Sequence, residues 1–209
     1  MSLIKLCDDY YNSIKDVYDN IYEEPDVFGQ RLLKNTLKPH MHTDKYYLHS
    51  YIPVYDELFR DKKDSAIKLL EVGVSQGGSI NLFKEYFKNG EVIGCDIAPS
   101  PEWLNEFENV TIYCEDFYTE TAINKFPNNY FDIVIDDGIH SLESFKFLIE
   151  RFLYKINLGG LLILEDIPDI EWIDILIKLI PKDVSYTYKV YDLRYIKNRY
   201  DDIILVIYI

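Results

Sequence analysis

The stretch Ile67-Lys68-Leu69-Leu70-Glu71-Val72-Gly73-Val74-Ser75-Gln76-Gly77-Gly78-Ser79 runs from an apolar segment through a glycine-rich turn into an amphipathic one. Apolar residues bounded by turn residues predict a strand over 67–72, and the spacing after the turn predicts a helix over 79–87. A glycine-rich turn between strand and helix lets backbone approach a ligand closely, and the helix N-terminus adds unpaired N–H groups. The spacing departs from the dinucleotide fingerprint G-x-G-x-x-G, because residue 75 is Ser and the next glycines are 77 and 78.

The same grammar repeats outward from this turn. Strands are predicted over 91–96, 110–114, 131–136 and 160–165, with helices over 142–154 and 170–180 and closing strands over 185–191 and 202–209. Alternating strands and helices imply right-handed crossovers and a mainly parallel, seven-stranded α/β sheet with helices on both faces. The short polar link between the last two strands suits an antiparallel hairpin at the sheet edge. Upstream, helices are predicted near 3–22 and over 50–59. Residues 1–66 therefore read as a helical cap on a Rossmann-like domain over 67–209.

Chemistry gathers at the predicted strand ends. The second strand ends in Asp96, 23 residues after Gly73, where a carboxylate can accept hydrogen bonds from both hydroxyls of a ribose. The third ends in Glu115-Asp116-Phe117, an acid beside an aromatic, suited to an adenine amino group and ring. The fourth ends in Asp136-Asp137-Gly138-Ile139-His140 and the fifth in Glu165-Asp166. Four carboxylates at neighbouring tips, with no Lys or Arg in either motif, would repel one another in a dry cleft. A hard divalent cation such as Mg²⁺ resolves that repulsion. Taken singly, each motif also has a plain structural reading: Ser141 and Asp169 suit helix caps, and a lone His is commonly structural.

These residues resemble the class I S-adenosylmethionine-dependent methyltransferases. Thr43-Asp44-Lys45, His49-Ser50-Tyr51, the Glu71–Ser79 turn, Asp136–His140 and Glu165-Asp166 are similar, more narrowly, to the metal-dependent sugar O-methyltransferases of macrolide biosynthesis (mycinamicin and demethylmacrocin type). The resemblance implies that Glu71, Gly73, Ser75, Gly77 and Ser79 face the methionine part of the cofactor. It further implies Asp96 at the ribose, Asp116 and Phe117 at adenine, and Thr43, Lys45, Ile97 and Asp136 in the same cofactor-binding set. Asp137, Glu165 and Asp166 would ligate Mg²⁺, His140 would be general base, and the segment from Thr43 to Tyr51 would close over the cofactor and a sugar, nucleotide-sugar or glycan acceptor. Ile139 stands where that group normally has Ser, and Ser75 where the turn normally has its middle glycine. The alternatives are a catechol-like acceptor, a non-catalytic domain of the same fold and, for the cofactor half alone, a dinucleotide-binding dehydrogenase.

Composition bounds the partners. The net charge is −14, and residues 67–170 hold 7 basic and 18 acidic residues, so −11 of it falls there. Nucleic acid and anionic lipid are excluded as partners, because phosphate binding relies on Lys and Arg. Three cysteines with no CxxC pairing point to reduced thiols in a cytoplasmic protein. No apolar run approaches the roughly 18 residues of a membrane span. Among the 19 tyrosines, the pairs at 10–11 and 46–47, with Tyr18, Tyr22, Tyr51 and Tyr55, suit amphipathic packing first, and a sugar platform or a homo-oligomer contact second.

Overall fold

A computed structural model of the chain describes residues 1–16, 33 and 38–209. Among these, β1 (Lys68–Val72), β2 (Glu91–Asp96), β3 (Val110–Cys114), β4 (Phe131–Asp136), β5 (Ile156–Leu164), β6 (Thr187–Asp192) and β7 (Ile203–Tyr208) form one sheet. Their order is β3-β2-β1-β4-β5-β7-β6. The pairings among β1 to β5 are parallel, and β7 lies antiparallel between β5 and β6. The helices are α1 (Leu3–Ile14), α2 (Asp44–Tyr47), α3 (Ile52–Phe59), α4 (Gly78–Tyr86), α5 (Glu120–Ile123), α6 (Leu142–Phe152), α7 (Trp172–Lys178) and α8 (Arg194–Lys197).

Strand side chains alternate between faces, so near-continuous apolar runs require both faces to be covered. Leu69, Ile133, Ile135, Leu161, Ile163, Ile204 and Val206 enter one core, with Leu3 and Cys7 of α1, Ile52 and Phe59 of α3, and Ile80 and Phe83 of α4. Leu70, Val134, Leu162, Leu164 and Leu205 enter the other, with Phe145, Leu148 and Phe152 of α6 and Leu176 of α7. Tyr51 and Tyr55 are fully buried in the first core.

Strand order reverses at β1, which pairs with β2 on one side and β4 on the other. Val72 is level with both Cys95 and Asp136, and Asp136 is level with Leu164. Residues 73, 96, 137 and 165 therefore leave the sheet along one edge, at the switch point where open α/β sheets bind ligands.

Most element bounds match the reading from sequence, with physical reasons for the differences. β5 begins at Ile156 rather than at the expected residue 160; Gly159 takes φ +80°, and the strand continues through a register shift opposite β4. The helix expected to reach residue 154 ends at Phe152 and tightens into a 3₁₀ turn over Leu153–Lys155. Ser141 caps it, accepting from the Ser144 N–H in a capping box. The helix expected over 3–22 is described over Leu3–Ile14; the rest of that span, with Tyr18 and Tyr22, lies outside the described residues. Cys7, Cys95 and Cys114 are free thiols. Among the described residues, no helix is long and apolar enough to cross a membrane.

Phe131 is fully buried against Phe126 and Phe152. Phe131→Ala is expected to lower the unfolding free energy by about 3–5 kcal/mol in urea titrations. Tyr195→Ala, at an 82% exposed position, should stay within about 0.5 kcal/mol of the parent.

Candidate active site

The turn after β1 is held from both sides. Gly73 has φ +93°, and a Cβ there would lie 1.9 Å from the Asp137 carbonyl oxygen, so the turn packs directly on the tip of β4. A Cβ on Gly78 would lie 1.6 Å from the His42 carbonyl oxygen, which brings the chain before α2 against the start of α4. Ser75 takes φ +47°, the left-handed conformation that the more usual glycine adopts without strain. Asp96 fastens the turn: its Oδ2 accepts from the N–H groups of Val74 at 2.9 Å and Ser75 at 2.8 Å, and its Oδ1 from Ala98 at 2.9 Å.

A cavity of about 350 Å³ opens beside this turn. Eleven of the sixteen residues singled out from sequence line it: Thr43, Gly73, Ser75, Ser79, Asp96, Ile97, Asp116, Phe117, Asp137, His140 and Asp166. The other five, Lys45, Glu71, Gly77, Asp136 and Glu165, are not among its lining residues. His42, Asp44, Tyr47, Gln76 and Tyr118 also line it; Asp44 and Tyr47 belong to the segment expected to close over the cofactor and Gln76 to the quoted turn, but none was singled out as a site residue. Asp44 lay inside the Thr-Asp-Lys motif and Tyr118 beside Asp116-Phe117, so adjacency to the quoted motifs was the available signal. The described lining residues include no Lys or Arg.

Behind the cavity wall, the cation missing from the strand-tip motifs is supplied from elsewhere in the chain. Thr43 caps α2, and Lys45 on that helix is 1% exposed. Its Nζ donates to Asp137 Oδ2 and to Glu165 Oε2 at 2.8 Å, and lies 3.2 Å from Glu71 Oε1. The repulsion that argued for a divalent cation is thus partly met by an ammonium 92 residues from Asp137 in sequence. Glu71 also accepts from the Ser79 hydroxyl at 2.7 Å. Asp136 is fully buried and accepts from the Tyr118 hydroxyl.

Three groups converge at the mouth. Asp137, His140 and Asp166 each offer a ligand atom within 4.8 Å of the others. His140 Nε2 lies 3.3 Å from Asp137 Oδ1, and its Nδ1 lies 3.7 Å from Asp166 Oδ2. Glu165 is not in that trio; its Oε2 faces Lys45, and its Oε1 is buried without a partner. His140 and Asp166 both adopt left-handed backbone, at φ +54° and +51°. Non-glycine residues there carry strain of about 1–3 kcal/mol each, which the surrounding structure must offset.

Burial acts on all of these groups, and neighbouring charges decide whether it prevails. It pushes Glu71 and Glu165 up to about 7 despite the nearby Lys45, and Asp136 up to about 6 despite the Tyr118 hydrogen bond. Asp166 rises to about 6 through burial, against the pull of His49 and His140. Burial also acts on Asp137, but Lys45 and His140 outweigh it and hold that carboxyl down at about 2. For His140, burial is outweighed by Asp137 and Asp166, which raise it to about 9.

A carboxyl with a raised folded pKa binds more protons folded than unfolded, so it adds stability at low pH and loses that contribution as pH rises. For Glu71 the window runs from its unfolded value of 4.5 to about 7. In metal-free protein, Glu71→Gln should therefore lose less stability than the parent between about pH 5 and about pH 8. Chemical denaturation should show a difference on the order of 2 kcal/mol, and identical pH slopes would contradict the assignment.

No family model matches the chain. It is 30% identical over 135 residues to the mycinamicin VI 2''-O-methyltransferase of Micromonospora griseorubida, covering 60% of this chain and 33% of that protein. It is 29% identical over 139 residues to the 8-demethyl-8-alpha-L-rhamnosyl tetracenomycin-C 2'-O-methyltransferase of Streptomyces olivaceus, covering 62% of this chain and 36% of that protein. The chain thus spans about a third of the length of the curated relatives it matches. Among solved structures, the MycE methyltransferase in complex with Mg, SAH and mycinamycin VI aligns at 28% identity and TM-score 0.54, over 59% of this chain and 36% of that one. A second crystal of MycE with Mg and SAH gives TM-score 0.63 over 79% of this chain and 51% of that one, at 21% identity. The chain has the class I S-adenosylmethionine-dependent methyltransferase fold and is similar in sequence to the sugar O-methyltransferases of macrolide and related pathways.

Proposed function

We propose that the protein transfers a methyl group from S-adenosylmethionine to a hydroxyl of a sugar-bearing small molecule, nucleotide sugar or glycan, at a site that also holds a divalent cation. The observation that carries this reading is one cavity joining the Asp96-fastened turn to the Asp137–His140–Asp166 convergence. Likeness to the O-methyltransferases above supports the choice of reaction.

The donor sets fit both groups. The lining carboxylates Asp96 and Asp116 suit ribose hydroxyls and an adenine amino group, and an acidic wall suits a cofactor that carries a sulfonium and an ammonium. A dinucleotide would bring two phosphates, and no described lining residue is a Lys or Arg to pair them. For the cation, Asp137 and Asp166 present oxygens at the mouth, and Glu165 contributes a buried oxygen with no other partner. Oxygen ligands of this kind suit Mg²⁺.

S-adenosylmethionine supplies an already activated methyl group. A bound divalent cation supplies Lewis-acid polarisation of the acceptor hydroxyls and offsets the carboxylate charge that otherwise keeps His140 protonated. The chain's own residues do the rest. Asp137, Glu165 and Asp166 hold the cation, Asp96 and Asp116 orient the nucleoside, and His140 takes the acceptor proton at an imidazole nitrogen once neutral. The cavity brings the reacting groups together, so transfer gains from proximity and alignment.

Calorimetry with S-adenosylhomocysteine and Mg²⁺ should show binding at micromolar concentrations, and no heat at about a hundredfold higher concentration would sink this reading. On a glycoside with adjacent hydroxyls, His140→Ala should lower turnover about 10²–10⁴-fold while S-adenosylhomocysteine still binds. Undiminished turnover would remove His140 from the role of base.

A further inference from the structure

Each of the three carboxylates assigned to the cation has one oxygen held by a partner outside the cavity lining. Asp137 gives Oδ2 to the Lys45 ammonium, while Oδ1 faces His140 at the cavity mouth. Glu165 gives Oε2 to the same ammonium and keeps Oε1 buried and unpartnered. Asp166 gives Oδ1 to the Tyr51 hydroxyl, with His49 Nδ1 3.4 Å away, while Oδ2 faces His140. In Asp137 and Asp166 one oxygen is anchored from behind and the other faces His140, while Glu165 has one oxygen anchored and the other buried without a partner.

All three anchors come from seven consecutive residues, Lys45 to Tyr51. Each is at least 98% buried, and none is among the residues lining the cavity. The anchors are themselves held. His49 Nδ1 lies 2.5 Å from Asp202 Oδ1 at the foot of β7. The His49 and Tyr51 rings stack with centroids 4.7 Å apart. The Tyr51 N–H donates to the Lys45 carbonyl at 3.2 Å, which closes the segment into one turn.

Building on the function proposed above, we infer that Lys45, His49 and Tyr51 are positioning residues for the cation site. They fix one oxygen of each of Asp137, Glu165 and Asp166, and so present the three remaining oxygens to a divalent cation. Partners behind the ligands orient them and tune the metal, and losing such a partner typically weakens metal affinity or activity about 10–100-fold. Lys45 has a second possible part, as an ammonium that merely fills the cation's place. The two parts predict opposite effects of removing its charge: a competitor's loss strengthens cation binding, whereas an anchor's loss weakens it.

Manganese titration followed by electron paramagnetic resonance reads this directly on the full chain, without turnover. Tyr51→Phe keeps the ring and removes the hydroxyl, and it should weaken Mn²⁺ binding by about tenfold or more. Its affinity for S-adenosylhomocysteine in the absence of metal should be unchanged, which a merely unfolded variant would not show. Lys45→Met should also bind Mn²⁺ more weakly although it removes a positive charge; if that variant does not fold, Tyr51→Phe decides alone. Tyr51→Phe binding Mn²⁺ as tightly as the parent, or Lys45→Met binding it more tightly, would overturn the inference. A parent protein that binds no Mn²⁺ at all would overturn the proposed cation site together with this one, so the two failures are distinguishable.

Discussion

The Lys45 ammonium, enclosed by Glu71, Asp137 and Glu165, is the interaction on which the rest of the site depends. Those carboxylates leave the tips of β1, β4 and β5, three adjacent strands whose parallel register brings their ends to one level. Without a cation among them, two fully buried glutamates and a neighbouring aspartate would face one another in low dielectric. Breaking a buried pair by removing one partner typically costs about 3–5 kcal/mol. Burial pulls the Lys45 pKa down, yet the surrounding acids hold it well above its ordinary range. The ammonium also ties the segment around α2 to the sheet, so the piece of chain that lines the cavity through Thr43, Asp44 and Tyr47 is anchored at the strand tips.

Much of the fold was legible because it rests on local patterns. β2, β3 and β4 begin and end where apolar runs meet polar residues, and the alternation of Leu69 with Leu70, or Ile133 with Val134, sorts directly into the two cores. Elements of one turn, such as α5 and α8, are too short to show a period. β5 starts at Ile156 rather than at residue 160: its pairing with β4 breaks opposite residues 157–160, and the Gly159 N–H and the Gly160 carbonyl bond to Ile209 instead.

The site was legible only in part, for a related reason. The strand-tip motifs are contiguous in sequence, and topology alone brings them together. The partners of those motifs are far off in sequence: Lys45 is 120 residues from Glu165, and Tyr51 is 115 from Asp166. Lys45 sits in the Thr-Asp-Lys motif, and no local pattern reveals which carboxylates its ammonium meets. The acid excess of residues 67–170 takes on a shape here. Asp96 fastens backbone, Glu71, Asp137 and Glu165 share one lysine, and Asp116 and Asp166 stay on the cavity wall. Acids such as Glu143, 81% exposed, are solvated surface.

The central claim is that Lys45 is a charged, buried ammonium bonded to strand-tip carboxylates. Proton–nitrogen correlation spectra of ¹⁵N-lysine-labelled protein test it most directly, because a side-chain ammonium exchanges too fast to observe unless it is buried and hydrogen-bonded. A protected ammonium resonance is expected at neutral pH, lost in Lys45→Arg and surviving titration to about pH 10. A spectrum in which no protected ammonium signal depends on Lys45, or one in which that signal is lost by about pH 8, would contradict it.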